Sequence, residues 1–170
     1  MVTRRTRTFE IFPTEEQKIL IDREINCSRF VFNHFLVYRF DLWKNEKKNI
    51  GFNEEIELLH ELIEKEEWLK NVEIQSLEQA IRDLDGDFYN CFKNGSSYPK
   101  CRKKDDKIQW YKTKNDNDNI KIYDKEKLIK LPFLGFIEVN NPDFLSDKIS
   151  HVKVIKIDGK YEVLLTFEIQ

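Results

Sequence analysis

The feature that most constrains this chain is a change in its hydrophobic period near residue 94. Before that point apolar residues recur three and four positions apart, and after it they alternate with polar ones in short runs. A spacing of three and four places side chains on one stripe of a helix, whereas alternation places them on one face of a strand. The two patterns cannot share a regular element, so the chain must combine a helical part with a sheet.

The first residues break the helical trend. Arg4, Arg5 and Arg7 are interleaved with threonines and followed by Phe9 and Ile11, which suits a strand over residues 1–12 with its arginines projecting together on a basic face. Pro13 stops it. Thr14 and Gln17 then form a capping box, which predicts a helix running to about residue 44 on a stripe of Ile19, Leu20, Cys27, Phe30, Val31, Phe35 and Tyr38. A polar loop over 44–51 leads to a second helix, with Ile56, Leu59 and Ile63 on one side and Glu54, Glu55, Glu57, Glu61, Glu64, Glu66 and Glu67 on a solvated acidic face. A third helix from about Glu73 to Lys93 turns Leu77, Ala80, Ile81, Leu84, Phe88, Cys91 and Phe92 inward.

Beyond Asn94 the pattern predicts strands at 108–111, 119–123, 128–131, 135–139, 149–157 and 161–168. Asp158-Gly159 between the last two is a tight-turn signal, because both residues tolerate positive φ. Val152, Val154, Ile155 and Ile157 are expected to face Tyr161, Val163, Leu165 and Phe167 across it. The expected fold is α+β: a small antiparallel β-barrel of the OB-like type with a three-helix lobe inserted after its first strand. The barrel domain would take residues 1–12 and 95–170, and the helical lobe residues 13–94.

Composition excludes several functions. With 170 residues, 40% of them apolar, the chain can bury one core or two small ones. No apolar run approaches the roughly 18 residues of a membrane span, and Met-Val-Thr-Arg-Arg does not open a secretory signal, so a cytoplasmic protein with no membrane partner is expected. Cys27, Cys91 and Cys101 form no metal-ligand spacing, and neither a metal nor a cofactor is expected. His34, His60 and His151 lie far apart, and the glutamate run lacks the apolar niche that a catalytic acid requires, so no catalytic residue is assigned.

Binding chemistry is better represented. The net charge of −2 conceals a basic cluster of Lys100, Arg102, Lys103, Lys104 and Lys107, with Tyr98, Trp110 and Tyr111 interleaved. Cations that neutralise phosphate beside aromatics that stack on bases are the means by which single-stranded or folded RNA is held. Together with Arg4, Arg5 and Arg7, these residues form the expected nucleic-acid surface.

Four stretches carry a family resemblance. They are Phe9-Glu-Ile-Phe-Pro-Thr-Glu-Glu-Gln17, Cys27-Ser-Arg-Phe-Val-Phe-Asn-His-Phe-Leu36, Trp68-Leu-Lys-Asn-Val72 with Ser76-Leu-Glu-Gln-Ala-Ile-Arg-Asp-Leu84, and Lys130-Leu-Pro-Phe-Leu-Gly-Phe136. Across essentially its whole length the chain resembles the N-terminal wedge and recognition lobes of the TnpB (OrfB) family, RNA-guided transposon nucleases related to type V CRISPR effectors. The resemblance implies a grip on a structured, guide-like RNA, contact with target DNA, and a role in that contact for Arg29 and Asn33. It also implies that the RuvC nuclease and zinc-binding domains would follow Gln170, so a non-catalytic module is expected.

The chain also departs from that family. Ile74 and Glu78 stand where the family places Lys and Gln, and Ile-Glu138-Val-Asn-Asn-Pro-Asp143 replaces a basic run after Phe136. An alternative expectation follows from the acidic residues Glu54 to Glu67 with Glu78, Asp83, Asp85 and Asp87. These would let the chain regulate or inhibit a related RNA-guided nuclease, by competing for guide RNA or by mimicking DNA.

Overall fold

A computed structural model describes residues 3–142 and 148–169. Asp143 of the departing segment lies outside the described residues. The chain divides into two compact units, Met1–Ile25 with Lys107–Gln170, and Asn26–Asp106.

The first unit is built on one antiparallel sheet. Its strands are β1 (Thr3–Phe12), β2 (Ile108–Lys114), β3 (Lys121–Tyr123), β4 (Leu128–Leu131), β5 (Gly135–Val139), β6 (Lys148–Ile157) and β7 (Lys160–Ile169), in the spatial order β2-β6-β7-β1-β5-β4-β3. The core joins Phe9 and Ile11 to Val152, Val154, Tyr161, Val163, Leu165 and Phe167 from one face of the sheet. Asp158 and Gly159 close the β6–β7 hairpin at φ of 51° and 75°, the left-handed pair that its turn requires.

Three expectations for this unit are corrected. The sheet does not close into a barrel, since among the described residues no ladder joins edge strands β2 and β3. Local bonds stand there instead. Just past β2, the Asn115 N–H and Nδ2 donate to the Ser150 and Ile149 carbonyls of β6 at 2.8 and 2.7 Å, and its Oδ1 accepts the Ile120 N–H at 3.1 Å, tying the end of β2 to β6 and to the turn before β3. The arginines of β1 do not share a face. Arg5 and Arg7 lie on the side of Phe9 and Ile11, whereas Arg4 lies on the other side, opposite Glu168 of β7, because strand side chains alternate. In the hairpin, Val152 and Val154 do oppose Leu165 and Val163, but Ile155 and Ile157 pair with Glu162 and Lys160 and stay half-buried on the opposite face.

The division between the units falls within one long helix, α1 (Glu15–Glu46), after Ile25. Its capping box forms as the sequence predicts: the Thr14 N–H donates to Gln17 Oε1 at 2.9 Å, and the Gln17 N–H to Thr14 Oγ1 at 3.2 Å. Ile21 and Ile25 join the sheet core, whereas Cys27, Val31, Phe32, Phe35 and Leu36 join the helical one. The expected single stripe is therefore wrong at its ends, with Ile19 61% and Tyr38 38% exposed. A helix that serves two cores need not keep one stripe throughout.

In the second unit α1 is followed by α2 (Phe52–Lys65), a 3₁₀ turn (Glu67–Asn71) and α3 (Ile74–Asn94). Leu59, Leu62, Leu69, Val72, Leu77, Ile81, Leu84 and Phe88 complete the helical core. Phe92 departs from expectation at 68% exposure, and Cys91 is only half-buried. Glu55 departs in the opposite sense. It is fully buried, so the acidic face of α2 is carried by the neighbouring glutamates without it.

Candidate nucleic-acid interface

The loop following α3 is anchored by residues singled out from the sequence. Asn33 Nδ2 donates to the Arg102 carbonyl and Asn33 Oδ1 accepts the Arg102 N–H, both at 2.8 Å, so the whole amide is engaged with one peptide segment. The Arg102 guanidinium lies 3.9 Å over the Phe32 ring and 3.4 Å from Asp83, and burial lowers its pKa against the opposing pull of that carboxylate. Arg29 bonds Asn26 at 2.7 Å, one turn back along α1. The structure thus brings Asn33 and Arg102 together as a clamp.

The other expected residues of this loop reach solvent. Lys100, Lys103 and Lys104 are exposed, and the Lys103 N–H donates to Asp106 Oδ2 at 2.9 Å in a local turn. Tyr98 packs edge-on against Phe88 and Phe40 while remaining 42% exposed. In the sheet unit, Lys107 is exposed and lies 3.8 Å from Asp158.

The acidic residues are less uniform than their sequence suggests. Asp83 pairs with Arg102, and Asp85 with Arg39 at 2.9 Å, while Arg39 also contacts Glu55. Glu54, Glu57, Glu61, Glu64, Glu67 and Asp87 are exposed, with Lys70 near Glu64 and Glu67.

Alternation assembles a second basic surface that is not evident from the sequence. The outward face of β2 carries Trp110, Lys112 and Lys114, which register with Ile155, Lys153 and His151 of β6. On β7 and β1 the same face continues through Thr166 and Glu168 to Thr6 and Arg4. Lys153 and Lys112 place their ammonium groups 4.2 and 5.4 Å from the centre of the Trp110 ring. His151 Nδ1 lies 3.0 Å from Ser150 Oγ. The pKa of His151 is lowered, chiefly by burial and then by Arg4, Lys114 and Lys112, with Glu168 pulling the other way. The signal was present as Trp-x-Lys-x-Lys and His-x-Lys at a period of two, hidden because the two runs are 37 or more residues apart in the chain.

Two concavities lie within the helical unit. A shallow groove of about 720 Å³ runs past Arg29, Phe30, His34, Tyr38 and Trp68, and a smaller pocket of about 350 Å³ is lined by Trp43, Asp85, Phe88, Phe92 and Tyr98. Among the described residues no group of three or more His, Cys, Asp or Glu is placed to hold a metal ion. No helix among them is long and apolar enough to cross a membrane.

The chain is similar in sequence to known proteins. Residues 1–48 match the family model of the helix-turn-helix domain of OrfB of IS605 elements. In this chain that segment is a strand and one continuous helix rather than two helices joined by a turn. A protein of Streptomyces pristinaespiralis named as an RNA-guided DNA endonuclease is 33% identical over 105 residues, covering 59% of this chain and 26% of that protein. The Escherichia coli K12 protein named as the RNA-guided DNA endonuclease InsQ is 26% identical over 165 residues, covering 94% of this chain and 39% of its own length. The chain thus spans between about a quarter and two fifths of the curated relatives it matches.

Proposed function

We propose that this chain, which carries the N-terminal region of the TnpB (OrfB) family, is a non-catalytic module that binds guide-like structured RNA and contacts target DNA. The sheet-bearing domain, read from sequence as residues 1–12 and 95–170, takes the wedge-like role, and the helical domain, residues 13–94, the recognition-like one. Similarity to a protein named as an RNA-guided DNA endonuclease over 94% of the chain carries the reading. The exposed cations of two separate segments support it. Lys100, Lys103, Lys104 and Lys107 with Arg4, Arg5 and Arg7 supply the phosphate contacts, and Tyr98 and Trp110 the stacking surfaces. Asn33 and Arg102 serve by holding the basic loop in place, and Arg29 extends the surface along α1.

Gel-shift titration with structured RNA and with duplex DNA at rising salt tests the proposal. Affinity should fall steeply with salt, because phosphate binding releases condensed counterions. Alanine at Arg4, Arg5 and Arg7, or at Lys100, Lys103, Lys104 and Lys107, should weaken binding and flatten that dependence by about one power of salt for each phosphate left without its cation. A protein that binds neither nucleic acid, or that binds equally well without both sets of cations, would overturn it.

A further inference from the structure

The outward face of β2, β6, β7 and β1 has a composition that its sheet does not require. Its inner counterpart is apolar, whereas here four cations, two threonines, a histidine and a tryptophan gather at one end of the face, which also carries Ile155, Leu164 and the carboxylates of Glu10, Glu162 and Glu168. Strands about 4.8 Å apart and side chains about 7 Å apart along each strand give a grid on which an extended polyanion can lie. Like charges set directly across a ladder destabilise it. Lys112 opposite Lys153 and Glu10 opposite Glu162 are such pairs on this face.

We propose that this face is a binding site for single-stranded nucleic acid, with Arg4, Lys112, Lys114 and Lys153 on the phosphates and a base stacked on Trp110. The inference rests on the nucleic-acid-binding function proposed above and adds where an unpaired strand lies. Stacking on a side chain fixed to a strand requires a base that is not stacked within a duplex, which selects single strands, loops or bulges. The ammonium groups of Lys153 and Lys112 now cover the Trp110 ring, and an arriving base displaces them toward the phosphates on either side. Thr6 and Thr166 add hydroxyl donors to the same face.

Fluorescence anisotropy with short labelled oligouridylate, oligothymidylate and a duplex of matching length tests the site on the full chain. The Lys112→Gln/Lys114→Gln variant is expected to weaken both single strands and to lower the salt exponent by about two. Trp110→Leu is expected to lose about tenfold for single strands and little for duplex. Each variant is checked for an unchanged circular dichroism spectrum, and Lys125→Gln/Lys127→Gln, on exposed residues elsewhere, should bind as the unaltered protein does. Tighter binding of oligouridylate or oligothymidylate than of the duplex supports the site. If the unaltered protein binds and both variants bind equally well, the site is wrong while the general function stands. If the unaltered protein binds none of the three probes, both fall.

Discussion

Glu55 shows what a single residue can conceal. It stands in a run of glutamates, yet its side chain is fully buried and contacts the Arg39 guanidinium, which also reaches Asp85 at 2.9 Å and lies 4.8 Å from the centre of the Phe88 ring. Among the described residues Glu55 Oε2 has no hydrogen-bond partner. Burial raises its pKa from 4.5 to about 7, against the downward pull of Arg39, and Asp85 adds a smaller upward push. The folded state therefore holds a proton that the unfolded chain has released. Between about pH 4.5 and 7 stability should fall as pH rises, and it should level off above that window. Urea unfolding followed by the fluorescence of Trp43 and Trp68 should show this slope in the unaltered protein and lose it in Glu55→Gln. Arg39→Met should cost about 3 kcal/mol at neutral pH by leaving the carboxylate without its cation, and Arg39→Met/Glu55→Met should recover most of that loss. The sequence reading set Glu55 on the solvated acidic face, whereas in the folded helix it is buried on the side of Leu59 and Leu62. Arg39, on a different helix, could not be read as its partner, because spacing reports faces within an element and not which faces meet.

Elements were legible wherever local chemistry decides them. The capping box placed the start of α1, and the Asp158-Gly159 turn placed the last hairpin, because each is settled by hydrogen bonds or φ angles within a few residues. Gln17 also does something its motif does not reveal. Its Nε2 donates to the carbonyls of Leu134 and Phe136 at 3.1 and 2.8 Å, tying the first turn of α1 to the approach to β5. Thr14→Ala should therefore cost about 1 kcal/mol, the usual worth of a cap, whereas Gln17→Ala should cost roughly twice that, since it also orphans two carbonyls. Equal losses in denaturant titrations would show that the bonds to β5 contribute nothing. The interface was less legible than the elements. Arg4 belongs with Lys112, Lys114 and His151 rather than with Arg5 and Arg7, since period-two alternation separates neighbours along a strand and ladder register joins residues distant in sequence.

At the scale of the molecule, two cores divide the chain, each with its own fluorescent reporter: Trp110 on the sheet, and Trp43 and Trp68 in the helical unit. Val163→Ala and Leu84→Ala remove fully buried apolar groups from the two cores in turn. Each should cost about 1–4 kcal/mol. In variants retaining one tryptophan, the first should shift the unfolding seen by Trp110, and the second that seen by Trp68; the reverse assignment would contradict the division into cores. The sequence by itself determined the α+β class, the seven strands to within a few residues, the three helices, the capping box of the first and the turn of the last hairpin. These follow from period and local bonding, which every short segment carries with it. Only the tertiary structure decided that the sheet stays open, that one helix serves two cores, that Glu55 is buried against Arg39, and that a basic face gathers around His151. Those outcomes depend on which residues meet across long stretches of chain, and no local pattern encodes that pairing.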